Sequence, residues 1–258
     1  MRRSLGWALA SAMCWFAPPV LAEEVRLRVL ADPWCPYNCE PGSPRPGYVI
    51  ELLQAALPPG NALDYRVVPW ERAVAETAGG RADVALVVTS SGVERFGLVV
   101  GREPAGMAAD CLFVATTSSV RSLRRPDLDR LKSVGIVAGY EYDGPIGAWL
   151  QNPAYKDRIR VTGGVRPAEV NAHNLALGRL DAVVEDAQVM QHVLLQLGLG
   201  AKVRQAGCQA AGPVYVGFSP RHPQARQLAE RLDHALQEQR RSGQLARLLT
   251  RYGLSDWK

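Results

Sequence analysis

The chain has 258 residues, 47% of them apolar, and a formal net charge of +5. Setting aside Arg2 and Arg3 leaves 28 basic side chains against 25 acidic ones. So slight and scattered an excess excludes a nucleic-acid binder held by a basic stripe. The apolar content excludes a disordered chain.

The first 22 residues read as an export signal. Arg2 and Arg3 form a charged start, Leu5 to Val20 is apolar, and Val20-Leu21-Ala22 precedes Glu23 with the small-residue spacing of a cleavage site. Ser11 and Pro18-Pro19 interrupt the apolar stretch, which falls short of the ~20 residues that span a bilayer. Cleavage after Ala22 and a periplasmic, soluble product are expected; an uncleaved anchor is the alternative. Cys14 lacks the preceding residues that lipid attachment needs.

Cys35, Cys39, Cys111 and Cys208 remain. Four cysteines in an exported protein point to disulfides and allow three pairings. The favoured pairing is Cys35–Cys39, closing a small loop, with Cys111–Cys208 closing a very long one. His173, His192, His222 and His234 show no ligand spacing with the cysteines, so neither metal nor cofactor is expected.

Val25 to Leu30 alternates apolar and basic residues and predicts a strand. The stretch Ala31 to Gly47 is rich in proline and must be a loop, stiffened by Trp34, Tyr37 and two cysteines. Val49, Leu52, Leu53, Ala56 and Leu57 recur at helical spacing until Pro58-Pro59-Gly60. A strand over Leu63–Val68 and a helix over Glu71–Ala78 lead to Gly79-Gly80. The apolar run Val84 to Val88 then predicts a buried parallel strand ending in Thr89, Ser90 and Ser91, with Arg95 beyond. This βαβαβ order opens a doubly wound lobe.

The pattern restarts after a strand at Cys111–Ala115. Val134–Ala138 is a strand, Gly139 to Asp143 a loop, Pro145–Leu150 a helix, Ile159–Val161 a strand and Ala168–Leu177 a helix. Gly178-Arg179-Leu180-Asp181 then repeats Gly80-Arg81-Ala82-Asp83, and its strand ends in Glu185-Asp186. Ligands of open α/β sheets lie beyond the carboxyl ends of such strands. One unit ends in hydroxyls and a cation, the other in carboxylates, so the two ends read as half-sites for a zwitterion. A strand over Pro213–Phe218 precedes a long helix carrying Ala225, Leu228, Ala229, Leu232 and Leu236. Gly243 separates it from a last helix with Leu245, Leu248 and Leu249. These two helices have no strands after them and are expected to return to the first lobe.

Several stretches together resemble the polar-amino-acid family of periplasmic solute-binding proteins (bacterial extracellular solute-binding protein family 3). They are Ala31-Asp32 with Trp34 and Pro36-Tyr37, Gly47-Tyr48-Val49, Gly80 through Arg95, Gly178 to Asp186, and Gly243 to Tyr252. The resemblance implies a type II binding-protein fold: two α/β lobes, each a mixed, mainly parallel sheet flanked by helices, joined by two crossing strands. The lobes would be 23–111 with 216–258, and 112–215. It implies a non-enzymatic monomer that captures a small polar, amino-acid-like solute and delivers it to an inner-membrane ABC permease. By the same resemblance Arg95 holds a solute carboxylate and Asp186 its ammonium. Trp34 and Trp70 line the side-chain pocket, while Thr89 and Ser90 add hydrogen bonds. Tyr37, Tyr140 and Glu141 complete the expected ligand set.

Arg95 and Asp186 also have plainer readings, as a surface ion pair and as a helix N-cap. Two departures stand out. The family carries a threonine three residues before the arginine, where this chain has Gly92. Its second lobe offers a glycine and a hydroxyl residue, where this chain has Gly139-Tyr140-Glu141-Tyr142. Glu141 would repel a solute carboxylate: either it points away, or the solute is a more cationic molecule held by Glu141, Glu185 and Asp186 against aromatic rings. Two other readings share the scaffold: a ligand-sensing protein with no importer, and a cyclohexadienyl-dehydratase-like enzyme using Glu141 or Glu185 with His173.

Overall fold

The computed structural model describes residues 26–258, so the leader expected at 1–22 lies outside the described residues. The strands are β1 (Arg26–Ala31), β2 (Ala62–Val67), β3 (Val84–Thr89), β4 (Gly106–Ala108), β5 (Asp110–Ala115), β6 (Val134–Val137), β7 (Ile159–Thr162), β8 (Ala182–Asp186), β9 (Val203–Cys208) and β10 (Gly212–Phe218). The helices are α1 (Tyr48–Ala56), α2 (Trp70–Ala78), α3 (Ser90–Phe96), α4 (Arg125–Leu128), α5 (Gly144–Leu150), α6 (Pro167–Ala176), α7 (Ala187–Gln196), α8 (Ala225–Arg241) and α9 (Gln244–Arg251).

Two five-stranded sheets share one plan, ordered β2-β1-β3-β10-β4 and β7-β6-β8-β5-β9. In each, three parallel strands meet an antiparallel partner: β10 beside β3, and β5 beside β8. The apolar runs make β3 and β8 central strands, with all of β8 and nearly all of β3 buried. Helices cover both faces, as the continuous hydrophobic runs require.

The repeated Gly-Arg-x-Asp unit builds the same joint in both lobes. Gly80 and Gly178 take the left-handed conformation just past α2 and α6 (φ 78° and 69°), which glycine adopts without steric cost. Asp83 then accepts the Arg28 backbone N–H at 2.7 Å. Asp181 accepts those of Lys132 and Ser133 at 2.7 and 3.1 Å. Asp83 thus pins the first half of β1, and Asp181 the chain entering β6.

The chain passes between sheets twice. The sheets exchange at Ala109, between β4 and β5, and across 209–211, between β9 and β10. Both points lie a few residues before the expected borders at 111/112 and 215/216. Helix α8 packs on α1, so the C-terminal helices return to the first sheet. Both favoured disulfides are formed, Cys35–Cys39 and Cys111–Cys208. The second joins residues that face each other in the β5–β9 ladder.

Strands β4 and β9 and helices α3 and α4 were not expected from the sequence. Helix α3 follows β3 at once, with Thr89 accepting the Gly92 N–H and Gly97 closing it at φ 62°. Strand β9 has no clean alternation of buried and exposed residues. Among the described residues no helix is long and apolar enough to cross a membrane. No cluster of three or more His, Cys, Asp or Glu there could hold a metal ion.

Candidate functional site

The proline-rich loop after β1 is a folded platform. Trp34 and Asn38 form a backbone bridge (Trp34 N–H to Asn38 O, 2.7 Å), and the Cys35–Cys39 disulfide closes the turn beneath it. Gly47 anchors the far end at φ 108°; a Cβ there would lie 2.4 Å from the Tyr37 carbonyl oxygen. The platform presents Trp34 towards the second lobe, where its indole N–H donates to Glu185 Oε1 at 2.8 Å.

A cavity of about 220 Å³ opens between the sheets beside this platform. Trp34, Trp70 and Tyr140 form its aromatic walls. The Tyr140 ring stands edge-on to both indoles, at 6.3 Å from Trp34 and 6.1 Å from Trp70, with interplanar angles of 88° and 87°. Thr89 at the end of β3 and Ser90 at the start of α3 contribute hydroxyls, and Val87 adds a bulged segment. Val87 has φ 56°, which strains a β-branched residue by on the order of 1–3 kcal/mol.

Four carboxylates complete the wall: Asp32, Asp110, Glu141 and Asp143. Among the described residues no lysine, arginine or histidine lines it. Asp32 is 3% exposed, and its Oδ2 accepts the Tyr140 hydroxyl from the other lobe at 2.7 Å. Burial pushes its carboxyl up to about 7. Burial also pushes Asp110 up to about 7, helped by the nearby charges of Asp186 and Asp143. Asp110 Oδ2 accepts from the Gln209 side chain at 2.9 Å, joining the two crossing segments. Behind Trp34, Glu185 is buried and pushed up to about 8, and its Oε2 has no hydrogen-bond partner among the described residues. The buried Trp70 indole N–H, also in the cavity wall, has none either.

The rim is built by α3 of the first lobe and the 139–143 loop of the second. Ser91 Oγ donates to Asp143 Oδ2 at 2.7 Å. Arg95 Nη1 donates to Glu141 Oε1 at 3.2 Å. The Arg95 side chain is 61% exposed and does not line the cavity, whereas Glu141 is 10% exposed and does. The two sequence departures form one feature. A Cβ on Gly92 would come within 3.1 Å of Glu141 Oε2 and 2.9 Å of Val88 Cγ1. The absent side chain at 92 is the space into which the Glu141 carboxylate fits.

Asp186 is placed differently from the expected half-site. It is buried at the start of α7, where Oδ1 accepts the N–H groups of Gln188 and Val189 at 2.9 and 3.1 Å. Its Oδ2 accepts from Ala109 N–H at the crossover at 2.9 Å and from the Tyr37 hydroxyl at 3.5 Å. Capping a helix and tying it to the hinge consume its acceptor sites, and it does not line the cavity. Tyr37 also sits behind the wall, stacked on Trp34 and bonded to the Met107 carbonyl. Of the expected set, the cavity gathers Trp34, Trp70, Thr89, Ser90, Tyr140 and Glu141. Asp32, Asn38, Asp110, Asp143 and Gln209 join them unforeseen. Asp32 carried a signal, since it directly follows the carboxyl end of β1. Of the groups considered for dehydratase chemistry, Glu141 lines the cavity, while Glu185 is buried behind it and His173 is exposed on α6, so the cavity pairs neither glutamate with His173.

No protein-family model and no curated protein sequence matches the chain. Solved structures do match. A histidine kinase sensor domain with similarity to periplasmic binding proteins superimposes with a TM-score of 0.72 at 18% identity, over 91% of this chain and 98% of that one. The fold is that of the periplasmic binding proteins. An ancestral arginine-binding protein bound to arginine gives 0.71 at 19% identity, over 88% and 97%. The arginine-, lysine-, histidine-binding protein ArtJ from Geobacillus stearothermophilus gives 0.69 at 18%, over 91% and 97%. At such identities the likeness carries the two-lobed fold and none of the ligand contacts.

Proposed function

We propose that this is an exported, non-enzymatic solute-binding protein. It captures a small polar solute of amino-acid size between its lobes and delivers it to an inner-membrane ABC permease. The observation that carries this reading is the aromatic and carboxylate-lined cavity between two sheets linked by two crossing segments. A ligand touching both lobes favours the state in which they meet, since only that state offers both sets of contacts. Trp34, Trp70, Thr89, Ser90, Tyr140, Glu141, Asp32, Asp110 and Asp143 are its proposed contacts. Arg95 acts at the rim, and Asp186 with Tyr37 supports the wall from behind.

The test is native mass spectrometry of the protein as purified, followed by a thermal-shift screen of amino acids, amines and small organic acids. A ligand at a hundred times its Kd stabilises by about 2.7 kcal/mol, a rise of roughly 5–10 °C for a chain this long. A blank screen with no co-purifying small molecule would overturn the proposal. The likeness to a histidine kinase sensor domain favours a second reading, solute sensing without an importer. Affinity capture of an inner-membrane permease separates the two. The mature N-terminus should be Glu23 by intact mass, and light scattering should give a monomer.

A further inference from the structure

Resting on the solute-capture reading, three independent features of the cavity narrow the chemistry of its occupant. The first is charge. Four carboxylates line the wall, and no basic side chain does among the described residues. A solute carboxylate entering it would find only neutral donors, such as Thr89, Ser90 and the Trp70 indole, among these carboxylates, and no cation to balance its charge. A cation would find partners throughout.

The second feature is the state of Arg95. A guanidinium binds carboxylates by presenting paired N–H donors. Here that group already faces the chain's own carboxylate, Glu141, which reaches it across the cleft at 3.2 Å. The fit is specific: Glu141 Oε2 occupies ground that any side chain at Gly92 would contest, at 3.1 Å from a Cβ there. The third feature is the ring geometry. Trp34 and Trp70 both stand perpendicular to Tyr140 within 6.3 Å, so the cavity is walled by rings of more than one orientation. Aromatic faces attract ammonium groups through their quadrupoles.

We propose that the protein selects a small organic ammonium ion that carries no carboxylate. Glu141, seated on Arg95, takes the position that a solute carboxylate would otherwise fill. The cation is held by Asp32, Asp110 and Asp143 and packed against Trp34, Trp70 and Tyr140. The lifted pKa values of Asp32 and Asp110 fit this role, because a cation supplies the partner charge that burial denies them.

The test uses pairs of probes that differ only in the carboxylate: agmatine against L-arginine, cadaverine against L-lysine, and tyramine against L-tyrosine. Calorimetry on the unaltered protein is expected to show at least one amine binding about tenfold or more tighter than its amino acid, a gap of about 1.4 kcal/mol. Glu141→Ala frees Arg95 and should narrow or reverse that ratio, while Glu141→Gln should narrow it less because the site stays filled. Amino acids that equal or beat their amines in every pair that binds the unaltered protein overturn the inference and leave solute capture standing. No amine binding at about 1 mM also overturns it. In that case a neutral or acidic solute found in the broader thermal-shift screen would preserve solute capture, and a blank in every class would remove both.

Discussion

Raising the pH of the solute-free protein from about 5 to about 8 should destabilise it, and Asp32→Asn should remove a defined share of that loss. Asp32 is buried against Tyr140, and burial lifts its carboxyl from 3.8 to about 7. The sign follows from where the proton sits. Below the unfolded value both states hold the proton, and the contribution to stability is fully present. Between the two values the unfolded chain ionises while the folded one does not, so unfolding releases a proton and stability falls by about 1.4 kcal/mol per pH unit. Above the folded value both states are ionised and the loss stops growing. Over the chosen interval Asp32 alone accounts for on the order of 2–3 kcal/mol, or a melting shift of roughly 4–12 °C. Asparagine keeps the shape and an oxygen for the Tyr140 hydroxyl but cannot ionise. The assay is calorimetric melting of both proteins across the interval, after unfolding and refolding with disulfides intact to strip bound solute. Parallel curves for the two proteins would refute a protonated, buried Asp32. Asp110 and Glu185, lifted the same way, continue to titrate in the variant, so its curve should flatten without becoming level.

Other substitutions separate support from contact. Asp186→Ala strips the cap from α7 and leaves the N–H groups of Val189, Gln188 and Ala109 without their acceptor; a loss of about 3 kcal/mol is expected in urea unfolding. Arg95→Ala breaks one ion pair whose arginine is mostly exposed, and should change stability by less than about 1 kcal/mol in the same assay. Gly92→Ala should cost about 1–3 kcal/mol through overpacking against Val88 and Glu141. Adding Glu141→Ala should recover part of that cost, and strictly additive losses would deny that the two positions share one space. Replacing Cys111 and Cys208 together by alanine opens a loop of 97 residues, worth about 4–5 kcal/mol in denaturant titrations on the chain-entropy model.

The parts of the fold written in local pattern were legible, and the parts decided at a distance were not. The runs at Val84 and Ala182 announce buried strands because a central parallel strand has two apolar faces. Their Gly-Arg-x-Asp prefixes announce a repeat, although their aspartates serve the neighbouring strand rather than a ligand. Helix α3 has only seven residues and little apolar periodicity, so its caps, Thr89 and Gly97, were the signal to follow. Asp186 shows the limit most clearly. A carboxylate at a strand end reads identically as cap or ligand contact, and the choice turns on Ala109 and Tyr37, which are remote in sequence. Gly92 and Glu141 likewise looked like two unrelated departures, one a missing hydroxyl and the other a misplaced charge. Folding brings the carboxylate of one into the space vacated by the other and leaves it facing Arg95. The sequence offered Arg95 as the partner of a solute carboxylate or as half of a surface ion pair. Only the folded chain reveals that Glu141 already meets it across the cleft, and the proposed preference for an amine over an amino acid rests on that contact.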